Sequence, residues 1–491
     1  MDRTAIIVVT ICVILLFTWP QLLKKISPTP PAQPQPTNAP PIQVAGQTNA
    51  PTSAPLGQPQ PAPAPVSADF QLPVKLESEK LAFLETEDSI YTFTSAGGLN
   101  TVELRAHAAK PCADNGDADP VFIELNYGVD LPVFYLGGVD DGEFSVISDG
   151  NRVSMTSTNQ AGIRIKKEFT TGANYLLHTT ITLANTKREL VELKRQTLML
   201  GTAMPLQAGG RYPVWGAQWH NGEDMQEIDE GWFANRSLFS CIGGGGTPRD
   251  KFTSGPTQPI GWIGVHNRFF TMTTMPTETL SGAQVYSTMT TPRLLNEQQT
   301  DGQYVHDTGI LASIRLPGKV LQPGESIVQQ FTTYAGPKEY RLLHSHAVTY
   351  KNPIDSAMGL DGFIGFFSKL LLRSMNGLHS LGLGYALCII TITIIIKILF
   401  WPLTKRSTIS MKRVAAYQPQ LKEINEKYKD DPQKKQKRTM EFMREHKINP
   451  MGGCWPILIQ MPIFIGFFYL LRSAVELRGA QFLWACDLSQ P

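Results

Sequence analysis

Hydrophobic and polar positions change texture sharply along the chain. Residues 381–404 form an apolar run long enough to cross a bilayer core at ~1.5 Å per residue. Residues 454–471 form a second run, and residues 1–25 hold a third between Arg3 and Lys24. Between them, residues 69–350 carry a different period. Tyr175, Leu177, Thr179, Ile181 and Leu183 alternate with their neighbours, as do Val153 with Met155 and Ile163 with Ile165 on the way to Phe169. Phe269 to Thr273 and Ile327 to Phe331 read as further strands, and Gly97-Gly98, Asp149-Gly150, Asp301-Gly302 and Pro323-Gly324 supply turns. Strands without intervening helical periods predict an antiparallel all-β sandwich.

Helical periods return beyond it. Phe363, Phe366, Phe367, Leu370, Leu371 and Leu378 predict an amphipathic helix over 361–378, lying on the membrane surface or packed against the β-domain. Over 405–450, Val414, Tyr417, Leu421, Ile424 and Tyr428 make a stripe at 3-4 spacing. Asp431-Pro432 starts a second helix carrying Met440 and Met443. The region therefore reads as an antiparallel helical hairpin.

Charge then orients these elements. Between Lys405 and Lys447 stand 13 Lys/Arg against six Asp/Glu, which places the hairpin in the cytoplasm. The 381–404 span then runs inward, the β-domain lies outside, and residues 454–471 cross back out. The 1–25 run lacks a small-residue cleavage site and reads as an uncleaved anchor with its amino terminus in the cytoplasm. Residues 26–68, rich in Pro, Ala, Gln and Thr, form a semi-rigid spacer. The chain is thus a multi-domain membrane protein, and its net charge of +2 is a sum of opposing regions that says nothing about nucleic acid. Six cysteines show no CxxC pairing. Cys112 and Cys241 can pair if their domain lies outside the cytoplasm.

The β-domain offers little chemistry. Gly243 to Gly246 lacks the Gly-Lys-Ser/Thr ending of a phosphate loop. His344 and His346 suggest a metal pair without a completing ligand, and Trp215 and Trp219 read as buried aromatics or a sugar-stacking face. The alternative function this domain supports is a membrane-anchored periplasmic carbohydrate-binding or scaffold protein.

The sharper signal is Lys397, the one charge inside the 381–404 run, roughly 12 Å from its cytoplasmic end. A charge at that depth costs roughly 2.5–3.5 kcal/mol on insertion scales. Either its stem snorkels the amine to the interface, or the amine sits in a water-accessible groove and attracts carboxylates of a passing polypeptide. Thr393 stands one turn away. Gln460 is polar at membrane depth, and Pro456 and Pro462 break backbone hydrogen bonds beside it.

Lys397 to Lys405, ending Trp401-Pro402-Leu403-Thr404-Lys405, and Asn449-Pro450-Met451-Gly452-Gly453-Cys454-Trp455-Pro456-Ile457-Leu458-Ile459-Gln460-Met461-Pro462 closely resemble the YidC membrane protein insertases. Ser473-Ala474-Val475-Glu476-Leu477-Arg478 continues the likeness. The resemblance implies a Gram-negative inner-membrane protein with a periplasmic β-supersandwich and a helical core. It implies a non-enzymatic insertase and chaperone for nascent membrane proteins, acting alone or with the Sec translocon and using no cofactor. The groove residues would be Lys397, Gln460 and Thr393, and the motif residues Pro402, Asn449, Pro450, Gly452, Gly453, Pro456 and Pro462. The basic hairpin would assist substrate capture, in contact with ribosome or signal recognition machinery or with anionic headgroups. The family usually has Arg where Lys397 stands, so the charge is kept without the planar fork. Its core has five spans after the periplasmic domain. This chain reaches Pro491 after two, in residues 472–491, and reads as a fragment or truncated product.

Overall fold

The computed structural model describes residues 79–489, apart from 110–120, 130, 207–213, 236–245, 256–257, 291–307, 430 and 447–454. The expected anchor, the spacer, the Cys112–Cys241 pair, Gly243 to Gly245, Asp301-Gly302, Asn449, Pro450, Gly452 and Gly453 lie outside these residues. The chain forms two compact units.

The first unit is all-β. Its largest sheet has nine strands, in the order Met225–Asp229, Gly216–His220, Trp262–His266, Phe270–Pro276, Ser326–Pro337, Leu176–Asn185, Ile163–Thr171, Arg152–Thr158 and Ser145–Asp149. A five-stranded sheet containing Gln196–Ala203 and Gly309–Leu316 packs on the Gly216–His220 and Trp262–His266 strands. Those two strands and Gln196–Ala203 are buried at every position rather than at alternate ones, as central strands covered on both faces are. A four-stranded sheet, Leu81–Glu85 through Phe122–Leu125, meets the other half of the long sheet. There Phe93 lies 4.7 Å from Phe169, and Phe134 lies 5.8 Å from Phe169 and 5.9 Å from Phe331, centroid to centroid. The long sheet is therefore sandwiched by different partners at its two ends, the expected supersandwich.

The predicted alternation holds where it was strongest. In Leu176–Asn185, Leu177, Thr179, Ile181 and Leu183 point inward. Ile327 to Gln330 is the weaker case: Val328 is exposed, because only the second half of Ser326–Pro337 enters the core. Gly97, Gly150 and Gly324 take positive φ at their turns.

One inward position breaks the apolar rule. In Ile163–Thr171 the inward set is Ile163, Ile165, Lys167 and Phe169, and Lys167 is wholly buried. Its ammonium donates to Gly97 O at 2.6 Å, Phe134 O at 2.9 Å and Asp140 Oδ2, and lies 4.7 Å over the Phe144 ring. Asp140, equally buried, also accepts from Leu136 N at 2.7 Å. Burial pushes the Asp140 carboxyl up and the Lys167 ammonium down, while their mutual attraction opposes both shifts.

The second unit is helical: α1 Tyr340–Tyr350, α2 Gly362–Ser380, α3 Tyr385–Ala416, α4 Gln418–Lys427, α5 Pro432–Glu445 and α6 Trp455–Ser473. Two boundaries differ from expectation. The 381–404 run is a turn followed by helix, since Gly382 at φ +91° carries the chain from α2 into α3. α3 then continues through Pro402 to Ala416, because one proline removes a single backbone bond and the residues after it favour helix. The hairpin's first arm is accordingly divided between the end of α3 and α4. The break follows from Pro419, which cannot donate to the carbonyl of Ala415. The second start is as expected: Asp431 caps α5 by accepting from Lys434 N at 3.0 Å, with Pro432 next. Tyr417 packs on Phe442 at 5.9 Å and His446 at 4.8 Å, so Phe442, rather than Met440, meets the stripe, and Met440 is exposed.

Candidate functional site

α2 is the helix on which the apolar helices of this unit assemble. It packs chiefly on α6 and to a lesser extent on α3. Its buried face is Gly365, Ser368, Leu371, Leu372 and Met375. Of the apolar stripe read in the sequence, Leu371 lies in this face, whereas Phe363, Phe366 and Leu370 are exposed. The smallest residues make the contact because they let two backbones approach. Ser368 is 0% exposed and donates to Gly466 O at 2.9 Å across the α2–α6 crossing. A Cβ on Gly466 would lie 3.1 Å from Phe367 Cβ and 3.2 Å from Ser368 N. Gly466→Leu is therefore expected to force the helices apart at a cost of about 1–3 kcal/mol, while Gly466→Ala is tolerated after a shift of a few tenths of an ångström. Thermal unfolding of both variants in detergent checks this. Equal midpoints for Leu and wild type would remove the crossing from the argument.

α3 supplies the charged position. Among the described residues, Tyr385–Lys405 is the one helical stretch long and apolar enough to cross a membrane, and Ile459–Ser473 of α6 is a shorter apolar stretch. Ala386, Cys388 and Ile392 near the start of α3 are buried. From Thr393 onward the helix is largely exposed: Ile394, Ile395, Ile398, Leu399 and Trp401 are open, and so are Thr393 and Lys397. Thr393 and Lys397, four apart, share one face. Thr393 Oγ1 donates to Ile389 O at 2.8 Å. Pro402 leaves the Ile398 carbonyl, next to Lys397, without its helical donor.

Gln460 and Pro462 lie on α6, half-buried. Pro456 is in the first turn of the same helix. No described hydrogen bond or ion pair joins Lys397, Thr393 and Gln460. The structure sets the two α3 residues on one exposed face and Gln460 on the neighbouring helix.

A polar feature that sequence reasoning missed sits just beyond α6. The carboxylate oxygens of Glu476 are buried and meet no hydrogen-bond donor in good geometry, and Asn376 Oδ1 of α2 is likewise unpaired. Burial pushes the Glu476 carboxyl above its ordinary range. The residue's own backbone opposes this, Glu339 adds to it, and Asn376 opposes it more weakly. Burial raises the Glu339 carboxyl too. A carboxyl raised by folding favours the native state below its unfolded value, and that contribution is lost as pH rises through the folded value. Glu476→Gln is therefore expected to raise the unfolding midpoint more at pH 8 than near pH 4, where both folded and unfolded carboxyls are largely protonated. A uniform shift at both pH values would refute the buried-acid assignment.

Other sequence candidates fall elsewhere. His344 is exposed, with Nδ1 3.0 Å from Asp355 Oδ2, while His346 is buried. Two apart on α1, they face different directions and cannot share a metal. Trp215 and Trp219 are core residues, so neither offers a stacking face for sugar. Cys388 is free and buried.

Residues 377–491 match the family model described as 60Kd inner membrane protein, and residues 139–371 match the YidC periplasmic domain. Among curated relatives, the membrane protein insertase YidC of Geobacter metallireducens is 28% identical over 507 residues, covering 100% of this chain and 85% of the relative. That of Chlorobaculum parvum is 26% identical over 514 residues, covering 100% and 80%. Among solved structures, an active YidC insertase with its first transmembrane domain resolved matches at 17% identity and a TM-score of 0.27, covering 86% of this chain and 78% of that one.

Proposed function

This chain belongs to the YidC family of membrane protein insertases, and from that premise we propose how its residues divide the work of insertion. It is an inner-membrane insertase with a periplasmic β-domain, and its partners are nascent membrane proteins and the bilayer. The finer reading is ours. Residues 1–25 anchor the chain with the amino terminus in the cytoplasm, and residues 26–68 tether the β-domain. α3 crosses inward, α4 and α5 lie in the cytoplasm, and α6 crosses outward. The excess of 13 Lys/Arg over six Asp/Glu between Lys405 and Lys447 supports this orientation.

Thr393, Lys397 and Gln460 line the path of the substrate, with Lys397 holding its acidic residues transiently. Exposed Phe363, Phe366 and Leu370 set α2 against the membrane surface. The basic surface of α4 and α5 receives the emerging chain, from ribosome or signal recognition machinery, and the Sec translocon is the companion when the substrate needs one. The protein works without chemistry of its own, by lowering the cost of passing polar segments through lipid.

The single observation that carries the reading is one cation, Lys397, exposed beside Thr393 in a spanning stretch whose only other charge is Lys405 at its end. Site-specific photo-crosslinking tests it. A crosslinker at Thr393 is expected to capture a ribosome-bound nascent membrane protein, and one at Leu399 to label lipid. Equal capture from both positions would refute a directional path.

A further inference from the structure

Beyond the end of α6 the chain builds a small feature outside the proposed substrate path. Phe482 and Ala485 exchange both backbone hydrogen bonds, Phe482 N to Ala485 O at 2.8 Å and Ala485 N to Phe482 O at 2.9 Å. A further bond, Leu488 N to Ala480 O at 3.1 Å, extends the pairing. Asp487 is buried and secures the base, its Oδ1 accepting from Gly479 N at 3.0 Å and Ser489 N at 2.8 Å. The result is a tight hairpin whose two tip residues are Leu483 and Trp484.

That tip is the opposite of what water favours. Leu483 is 76% exposed and Trp484 is 90% exposed. Leu483 also holds φ +53°, in the left-handed region where glycine or asparagine is relaxed and leucine is strained. Turn chemistry alone would place a small polar residue there. From Gly479 to Cys486 no residue is charged. An indole combines an apolar body with one N–H donor, and tryptophan collects where hydrocarbon meets headgroups.

The position fits the same surface. The tip follows the last residue of α6, Ser473, by a short, buried connection through Ala474, Val475 and Leu477. The final turns of α6 already show Phe468 and Tyr469 outward. On α3, Trp401 is exposed near the other end of the apolar stretch, about 24 Å along the helix from Tyr385, close to the thickness of a hydrocarbon core.

We propose that the Leu483-Trp484 hairpin is an interfacial anchor, seating its tip among the headgroups and first methylenes of the periplasmic leaflet and fixing the depth at which α6 leaves the membrane. This rests on the reading of α6 as a span that ends on the periplasmic side. The occupant is lipid, continuous with the surface that α3 and α6 already present to it.

The test uses the full chain reconstituted in phosphatidylethanolamine–phosphatidylglycerol vesicles. Emission of the Trp484→Phe variant, subtracted from that of the parent, isolates Trp484. Phospholipids brominated near the headgroup are expected to quench that difference strongly, those brominated near the chain ends weakly, and aqueous iodide hardly at all. Iodide quenching without bromolipid quenching would place the tip in water. Protection from both would place it under protein. Either result overturns the anchor. The Trp401→Phe difference, from α3, reports whether the chain is seated in the bilayer at all, which the α6 premise requires: bromolipid quenching of Trp401 without Trp484 defeats the anchor alone. If neither ring responds, the membrane reading of both helices falls and the anchor with it.

Discussion

Replacement of Lys397 by glutamate is expected to abolish insertion, whereas Lys397→Arg retains it. The contrast follows from what a single charge does at that position. A pair of opposite charges 4 Å apart attracts by about 1 kcal/mol in water and by about 4 kcal/mol at an effective dielectric of 20. Reversing the sign converts holding of a substrate carboxylate into repulsion of similar size. Arginine keeps the sign and adds a planar fork that can bind a carboxylate through two bonds, so its contacts become more directional while attraction survives. Lys397→Met separates charge from bulk, since the thioether chain packs like the lysine stem without the ammonium. The measurement is growth of a strain depleted of its own insertase and carrying each variant, read beside protease protection of an inserted substrate. Substrates with acidic translocated segments should lose most in Lys397→Met. Growth restored equally by Glu, Met and Arg would mean that insertion does not depend on charge at this residue.

That expectation was accessible from sequence because a charge stands out in an uncharged run. The strands of the β-unit were accessible for a related reason: one half-buried face imposes a period of two, visible in Leu177 through Leu183. Asp431 and Pro432 announced α5 because capping is local chemistry. What escaped was non-local. No local pattern shows that Ser326–Pro337 pairs with Leu176–Asn185, since the partners are far apart in the chain. On α2 the aromatic stripe drew attention, yet packing selected Ser368 against Gly466, which carry almost no hydropathy signal and matter by being small. Trp215 and Trp219 could be read as surface or core because aromatic residues serve both, and only the strands covering them decide. Pro419 was a legible helix stop hidden by the stripe running across it. Lys167 was legible as well. It occupies the inward register of a strand whose other inward residues are Ile163, Ile165 and Phe169. The usual placement of lysine at the surface obscures it.

Lys167 is also where the β-unit is most vulnerable. Removing its counter-charge with Asp140→Ala strands an ammonium at 0% exposure between the Gly97 and Phe134 carbonyls. Leaving a buried charge unpaired typically costs about 3–5 kcal/mol. For a domain of this size, that corresponds to a drop of roughly 6–20 °C in the unfolding midpoint. The same substitution deprives Leu136 N of its acceptor, so part of the loss is not electrostatic. Asp140→Asn separates the two contributions, because its amide oxygen can still accept from Leu136 N while the charge is gone. Adding Lys167→Met then removes the stranded ammonium and leaves a side chain of similar length beside Phe144. The pair of changes should therefore be less damaging than Asp140→Asn alone. Recovery stays partial, since the Gly97 and Phe134 carbonyls lose their donor in every background without Lys167. Emission from the buried Trp215, Trp219 and Trp262 follows this unit in the full chain. If the double variant unfolds at lower temperature than Asp140→Asn, the hydrogen bonds from Lys167 to the Gly97 and Phe134 carbonyls outweigh the cost of its unpaired charge, and the electrostatic account of this strand fails.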